Sequence, residues 1–120
     1  MNAISLYEVS PRDGLQGLPR AIPLRKKVKL IKKLKSAGIE DIEVGSLVHP
    51  SILPMRESGK LYRKTGGDLL VVNEKGFDRA IELGLESVNV VISPDNDFNK
   101  TNQKNTYQNI MSIYQNKCKD

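Results

Sequence analysis

The chain has 120 residues, enough for one domain, and its 38% apolar content can supply a core for a domain of this size. No apolar run approaches the ~20 residues that cross a bilayer, and the amino end lacks a basic segment followed by an apolar one. We therefore expect a cytoplasmic protein without a membrane partner. The single cysteine, Cys118, excludes a disulfide framework, and the single histidine, His49, excludes a site in this chain that needs two histidines.

The net charge of +5 is compatible with an anionic partner. However, the densest basic segment interleaves with apolar residues at helical spacing, as on the solvated face of an amphipathic helix. This face comprises Arg25, Lys26, Lys27, Lys29, Lys32, Lys33 and Lys35. The chain also has only four Tyr and two Phe, with no Trp, and these do not interleave with basic residues as in a surface that stacks on single strands. We expect no nucleic-acid partner.

Strands and helices are predicted to alternate four times along the chain. The strands are predicted at 3–9, 41–46, 68–73 and 87–92, the helices at 24–37, 55–64, 74–83 and 107–114, and the loops at 10–23 and 93–104. Gly38 and Gly84 are predicted to end two helices in the same way, within a weak internal repeat. Such alternation predicts an α/β fold with parallel strands in the order 1-2-3-4. Four strands of this kind form an open sheet or half of an eight-stranded barrel.

Polar residues at the carboxyl ends of the first two predicted strands are the candidates for chemistry. Arg12 and Asp13 follow the first strand, where a carboxylate beside a guanidinium can bind a metal and stabilise an oxyanion; a simple ion pair in a loop is the alternative. Glu43 alternates with apolar neighbours and would be costly to bury without partners, unless its strand is a wet edge. Asn89 raises the same question more weakly, while His49 and Cys118 are predicted to be surface residues.

Several segments together resemble the hydroxymethylglutaryl-CoA lyases, which are metal-dependent TIM-barrel lyases. They are residues 8–16, with Pro-Arg-Asp-Gly-Leu-Gln, residues 42–50 followed by Pro54-Met55, and residues 73–77, extended by Phe98 and Asn102. The resemblance implies four parallel βα units, the first half of a (β/α)8 barrel, as a single truncated domain over residues 1–120. The implied reaction is cleavage of 3-hydroxy-3-methylglutaryl-CoA to acetyl-CoA and acetoacetate, a step of leucine degradation and ketone-body formation.

The resemblance also implies roles for individual residues. Arg12 would be catalytic and substrate-binding, stabilising the enolate-like oxygen of the thioester. Asp13 would be a ligand of a divalent metal, Mg²⁺ or Mn²⁺, Glu43 would be catalytic by supporting Arg12, and Gln16 would bind substrate. The departures from the family pattern concern loop geometry, and they are Ser10 in place of Gly, Leu18 in place of Glu, and Asp95-Asn96 in place of Ser-Glu.

The family's remaining site residues have no counterpart in this sequence. These are a His-x-His pair and an asparagine that hold the metal, and a cysteine in a glycine-rich lid. We therefore expect a fragment of an acyl-CoA lyase with little or no activity alone; the alternative is a non-catalytic half-barrel remnant that binds itself or a partner. The apolar faces of Ile4, Leu6, Val71 and Val90 should then lack covering layers. This favours a homo-oligomer or pairing with a second half-barrel, or else a chain that folds poorly by itself.

Overall fold

A computed structural model describes residues 3–103 and 106–119, without the side chains of Phe98, Thr101, Asn102 and Gln103. Its strands are β1 (Tyr7–Glu8), β2 (Asp41–Ser46), β3 (Asp68–Val71) and β4 (Asn89–Val90). Its helices are α1 (Asp13–Gln16), α2 (Leu24–Ser36), α3 (Ser58–Thr65), α4 (Glu74–Glu82), α5 (Asn96–Gln103) and α6 (Tyr107–Cys118), with a short 3₁₀ turn at Leu53–Met55. The strands follow the order β1-β2-β3-β4 in the sheet, which confirms the predicted order.

The predicted strands and helices agree best with the observed ones where the apolar pattern of the sequence is strong. Strand β2 has the predicted bounds, and α2 and α4 end one residue earlier than predicted. Strands β1 and β4 are much shorter than predicted, and Ile4 and Leu6 lie exposed before β1. The prediction that residues 10–23 and 93–104 form loops was wrong in part, because these segments contain α1 and α5. Both helices are short or polar and lack the apolar repeat on which the prediction rests.

The chain divides into two compact units, Met1–Leu70 and Val71–Asp120. In the first unit, β2 pairs in parallel with β1 on one side and with β3 on the other. Helix α3 packs against β2 and α2 packs against α3. The core of this unit is formed by buried side chains from these elements, from the residue after β2 and from the 3₁₀ turn, namely Ile31, Ile42, Val44, Leu47, Met55, Leu61, Leu69 and Leu70.

Helices α2 and α4 end in the same motif, as the internal repeat predicts. Gly38 has a φ of 92°, its N–H donates to Lys35 O at 3.0 Å, and the next N–H, of Ile39, donates to Leu34 O at 3.2 Å. Gly84 repeats this arrangement with a φ of 74° and bonds of 2.9 and 3.0 Å. These bonds satisfy carbonyls that the helix end would leave unpaired, and the left-handed residue favours glycine.

Lys27 departs from the predicted solvated face of α2. It is 2% exposed and its Nζ donates to the carbonyl oxygen of Pro54. Lys27 precedes the buried Ile31 by four residues, so both lie on the side of α2 that faces the core. Burial lowers the pKa of Lys27, an effect that the nearby Glu57 carboxylate opposes. The prediction that all the basic residues of this segment face solvent was therefore wrong at Lys27.

The second unit is organised around α4 and α6. Asn73 caps α4 by accepting the Gly76 N–H at 2.9 Å, and Phe77 stacks on Tyr114 with ring centroids 5.5 Å apart. Lys117 forms ion pairs with Asp78 and Glu74, and its hydrogen bond to Asp78 raises the pKa of Lys117. Val71, which was predicted to lack a covering layer, is fully buried, whereas Val90 is exposed. Across residues 3–103 and 106–119, none of the helices has both the length and the apolarity of a membrane span.

Two glycines with nearly the same φ provide a matched test of packing in the first unit. Gly67 (φ 93°) lies so close to β2 that an added Cβ would be 2.7 Å from Val44 Cγ1 and 2.8 Å from Ile42 O, whereas nothing lies within 4 Å at Gly38 (φ 92°). We expect Gly38→Ala to cost about 1 kcal/mol of unfolding free energy from backbone strain, and Gly67→Ala about 3 kcal/mol because backbone overpacking adds to that strain. Urea unfolding at one fixed protein concentration measures both. Equal losses of unfolding free energy in the two variants would show that the structure relieves the close approach at Gly67 without cost.

Candidate functional site

The segment after β1 turns at once into α1 and places Arg12 at the carboxyl end of that strand. The N–H groups of Arg12 and Asp13 both donate to the carbonyl of Val9, at 3.0 and 2.7 Å, and Pro11 between them and the strand is buried. Arg12 occupies the residue before α1, and Asp13 begins the helix. The backbone turn therefore fixes where both side chains begin.

The Arg12 guanidinium and the Glu43 carboxylate form an ion pair across β1 and β2, in which Arg12 Nε donates to Glu43 Oε1. The Glu43 side chain is 5% exposed, because β2 lies between β1 and β3. A wet edge strand, the alternative considered for Glu43, is thus wrong. A carboxylate buried this deeply requires a charged or hydrogen-bonding partner, and Arg12 supplies one.

Asp13 completes a cluster of three charged residues at this end of the sheet. Its Oδ1 lies 3.2 Å from Arg12 Nη1, yet its side chain is 69% exposed and remains accessible. A guanidinium has five N–H donors, of which the bonds to Glu43 and Asp13 use two. The remaining donors can therefore meet an anionic oxygen, and the Asp13 carboxylate can bind a cation.

The cluster does not by itself amount to a metal site. The described part of the chain contains no group of three or more His, Cys, Asp or Glu side chains arranged to hold a metal ion. Glu43 is buried against Arg12, which leaves Asp13 as the exposed carboxylate of the cluster. A single carboxylate does not hold Mg²⁺ or Mn²⁺ firmly, since these ions require several oxygen ligands.

Gln16 joins the same region through Ser46, a residue that the sequence analysis did not single out. The hydroxyl of Ser46 donates to Gln16 Oε1 at 3.0 Å. Ser46 is buried at the last position of β2, and Gln16 is half-buried at the last position of α1. All four predicted site residues, Arg12, Asp13, Gln16 and Glu43, thus lie where α1 meets the carboxyl end of β2.

The other polar candidates lie elsewhere. His49 is exposed, and its Nδ1 accepts the Ser51 N–H at 3.1 Å and contacts the Ser51 hydroxyl at 3.0 Å. Cys118 is exposed at the end of α6 in the second unit, and Asn89 is half-buried in β4 of that unit. His49 and Cys118 are thus surface residues, as predicted. The side chains of Phe98 and Asn102, which extended the family resemblance, lie outside the described residues.

Comparison with known proteins matches almost the whole chain to one family. A family model described as HMGL-like matches residues 3–119. The chain is 32% identical to the (R)-citramalyl-CoA lyase of Chloroflexus aurantiacus, over 88% of this chain and 39% of that protein. It is 37% identical to the 3-hydroxy-3-isohexenylglutaryl-CoA/hydroxy-methylglutaryl-CoA lyase of Pseudomonas aeruginosa, over 82% of this chain and 35% of that protein.

Solved structures give the same result for the fold. An HMG-CoA lyase from Acinetobacter baumannii, in complex with coenzyme A and 3-methylmalate, superposes with a TM-score of 0.81 and 31% identity over 98% of this chain and 42% of that one. The chain spans about two-fifths of the length of the relatives that it matches. The predicted α/β class, with four parallel βα units forming half of a TIM barrel, is confirmed. By the match over residues 3–119, the chain belongs to the HMGL-like family.

Proposed function

We propose that this chain supplies one part of the active site of a carbon–carbon lyase that cleaves 3-hydroxy-3-methylglutaryl-CoA to acetyl-CoA and acetoacetate. The observation that carries the proposal is the Arg12 guanidinium, held by the buried Glu43 carboxylate and lying beside the exposed Asp13. Membership of the HMGL-like family supports it, as does the presence of coenzyme A in a related structure.

The chemistry explains why a fixed guanidinium is useful. In the proposed reaction a base removes the proton of the C3 hydroxyl, the C2–C3 bond breaks, and C3 becomes the ketone of acetoacetate. The bonding electrons pass to the acetyl thioester as an enolate, which is then protonated at C2 to give acetyl-CoA. Arg12 meets the negative charge that develops on the thioester oxygen, and such preorganised stabilisation is often the largest contribution to the rate. Glu43 holds the guanidinium in place through its buried ion pair.

HMGL-like lyases use a divalent metal, and we propose Asp13 as one ligand of Mg²⁺ or Mn²⁺ in the working enzyme. The described residues do not complete that site. The further metal ligands and the general base must then come from residues outside this cluster. This requirement agrees with a chain that spans about two-fifths of its relatives.

The alternative function is a non-catalytic half-barrel that binds a second copy or another protein. The incomplete set of metal ligands among the residues that the structure describes and the exposed apolar side chains of Ile4 and Leu6 favour it. Both functions involve association with another polypeptide, so association does not discriminate between them. Catalytic turnover discriminates, because only the lyase produces acetoacetate.

Reconstitution tests the proposed lyase. The chain would be co-expressed with the part of the Pseudomonas aeruginosa relative that it does not match, and acetoacetate would be measured in a coupled assay with Mg²⁺ or Mn²⁺. The relative's own matching segment, expressed separately in the same way, is the positive control. We expect turnover with both parts and none with either alone. A stable complex without turnover, when the control is active, would favour the non-catalytic alternative.

A further inference from the structure

We propose that Ser46 is a positioning residue that fixes the side-chain amide of Gln16 so that its N–H₂ group, and not its oxygen, meets an anionic oxygen of the substrate. The inference rests on the proposed lyase function, because it assigns a donor to the same site. Ser46 donates to Gln16 Oε1 at 3.0 Å. The amide nitrogen of Gln16 carries two further donors, and among the described residues no bond engages them.

An irregularity in β2 is what brings Ser46 to this position. Glu43 pairs with Asp68, but Gly45 pairs with Leu69 and Ser46 with Leu70, so β2 has one extra residue between Glu43 and Gly45. Side chains two residues apart on a strand share a face, so Asp68 and Leu70 share one. Their partners Glu43 and Ser46 therefore share a face as well, although they are three residues apart. A bulge of this kind re-aims side chains and is over-represented beside active sites.

The re-aimed strand holds α1 at two points. Arg12 and Gln16 are four residues apart, and the N–H of Gln16 donates to Arg12 O at 2.9 Å, so their side chains lie on the same side of the helical turn. Arg12 pairs with Glu43, and Gln16 pairs with Ser46. The two bonds set the rotation of α1 relative to β2. As a result, the remaining N–H donors of Arg12 and Gln16 lie on the same side of α1.

Ser46 is itself held firmly by its surroundings. Its N–H donates to Ser58 Oγ at 3.2 Å, and the Ser58 hydroxyl donates to Met55 O at 2.8 Å. The contact with Ser58 leaves no room for a side chain at residue 45, where a Cβ would overlap Ser58 Oγ. Gly45 thus allows the bulge to pack against α3, and the Ser46 hydroxyl is left to bind Gln16.

Nuclear magnetic resonance of the side-chain amides tests this arrangement on the 120-residue chain. The Gln16 pair of N–H signals is assigned by its loss in Gln16→Glu, with Gln108→Glu, at an exposed residue of α6, as the matched control. The probes are 3-hydroxy-3-methylglutarate, which has carboxylates and no thioester, and acetyl-CoA, which has the thioester and no carboxylate. Coenzyme A, which has the phosphates of acetyl-CoA and no thioester, is the control. A shift with 3-hydroxy-3-methylglutarate assigns Gln16 to a carboxylate oxygen, and a shift with acetyl-CoA that coenzyme A does not reproduce assigns it to the thioester oxygen.

We expect at least one probe to shift the Gln16 signals, and we expect Ser46→Ala to weaken its binding about tenfold, the usual effect of losing one such hydrogen bond. Ser46→Thr keeps a hydroxyl and should restore binding to within about threefold. Ser51→Ala removes an exposed serine hydroxyl that contacts only His49 among the bonds described and should bind as the wild type does. If Ser46→Ala unfolds, Gln16→Glu decides, because it replaces the donors with a carboxylate at a half-buried position and should abolish binding. Isothermal titration calorimetry follows the binding of this variant, since it has no Gln16 amide signals.

The inference is overturned if neither probe moves the Gln16 signals, or if Ser46→Ala binds as tightly as the wild type. It is also overturned if a folded Gln16→Glu variant binds normally. Failure of the proposed function looks different. In that case the probe binds through Gln16 in a Ser46-dependent manner, yet the reconstituted enzyme produces no acetoacetate.

Discussion

Replacing Arg12 by lysine in the reconstituted lyase should lower kcat by about 10²–10³-fold, the usual cost of losing one preorganised oxyanion donor. Arg12 already uses two of its N–H donors to hold Glu43 and Asp13, and it needs others for the substrate. Lysine presents a compact point charge without the planar fork of guanidinium donors. It cannot keep both ion pairs and also meet the thioester oxygen with the same geometry. Steady-state kinetics with 3-hydroxy-3-methylglutaryl-CoA measure the effect.

Two further variants make this result specific. Arg63→Lys changes an exposed arginine of α3 in the same way and should leave kcat unchanged. Glu43→Gln keeps the shape of the side chain that holds Arg12 but removes its charge, so kcat should fall by about tenfold, less than for Arg12→Lys. If Arg12→Lys retained kcat within threefold of the wild type, the assignment of Arg12 to the thioester oxygen would be wrong.

The strand alternation marked Glu43 as a candidate for the site but left a wet edge strand open as the alternative. Glu43 stands between Ile42 and Val44 in a strand that a parallel sheet covers on both faces, so a charged side chain there indicated a partner. The partner is Arg12, which the motif after β1 had already marked. Strand β2 has the predicted bounds because two signals agree on where it begins. These are its run of apolar residues and Gly38, which ends the preceding helix.

Ser46 could not have been found in the same way. A regular strand has a period of two, which places residue 46 on the face opposite residue 43. The register shift between Glu43 and Gly45 reverses that assignment. Nothing in the local sequence except Gly45 indicates a bulge, and a glycine within a strand has several explanations. The position of Ser46 depends on close packing between β2 and Ser58, which only the folded chain shows.

Lys27 was misplaced for a related reason. Helical periodicity marks residues 27 and 31 as one face, but a lysine is counted as polar whatever its surroundings. In the structure its amine reaches the carbonyl of Pro54, which provides a hydrogen bond for a buried cation. That carbonyl belongs to the 3₁₀ turn before α3, twenty-seven residues along the chain. A contact over such a sequence separation leaves no mark on the local pattern.

The 120-residue chain by itself should not behave as a folded monomer. Strand β1 lies at the edge of the sheet, and edge strands with exposed backbone groups pair readily with other chains. Ile4 is 89% exposed and Leu6 64% exposed beside that strand. In the second unit, the neighbouring Val90 and Val91 are exposed as well. Apolar side chains grouped in this way mark surfaces that another chain covers.

Sedimentation velocity of the purified chain should therefore show a dimer or a larger assembly. The double variant Ile4→Lys, Leu6→Lys places charges beside β1 and should shift the distribution towards monomer, while Lys60→Glu, an exposed change on α3, should leave it unchanged. A well-folded monomer at the concentrations used for unfolding would contradict the expected association.

The same preparation should show no acetoacetate production above a control with metal alone. Self-association adds further copies of Asp13, but the sequence has one histidine and one cysteine and so cannot supply a His-x-His pair from one chain. Without those groups, Arg12 can stabilise charge on the thioester only where another group has already removed the hydroxyl proton. Turnover by the chain alone that disappears in Arg12→Ala would contradict this expectation, because it would mean that the associated chains assemble the missing base from their own residues.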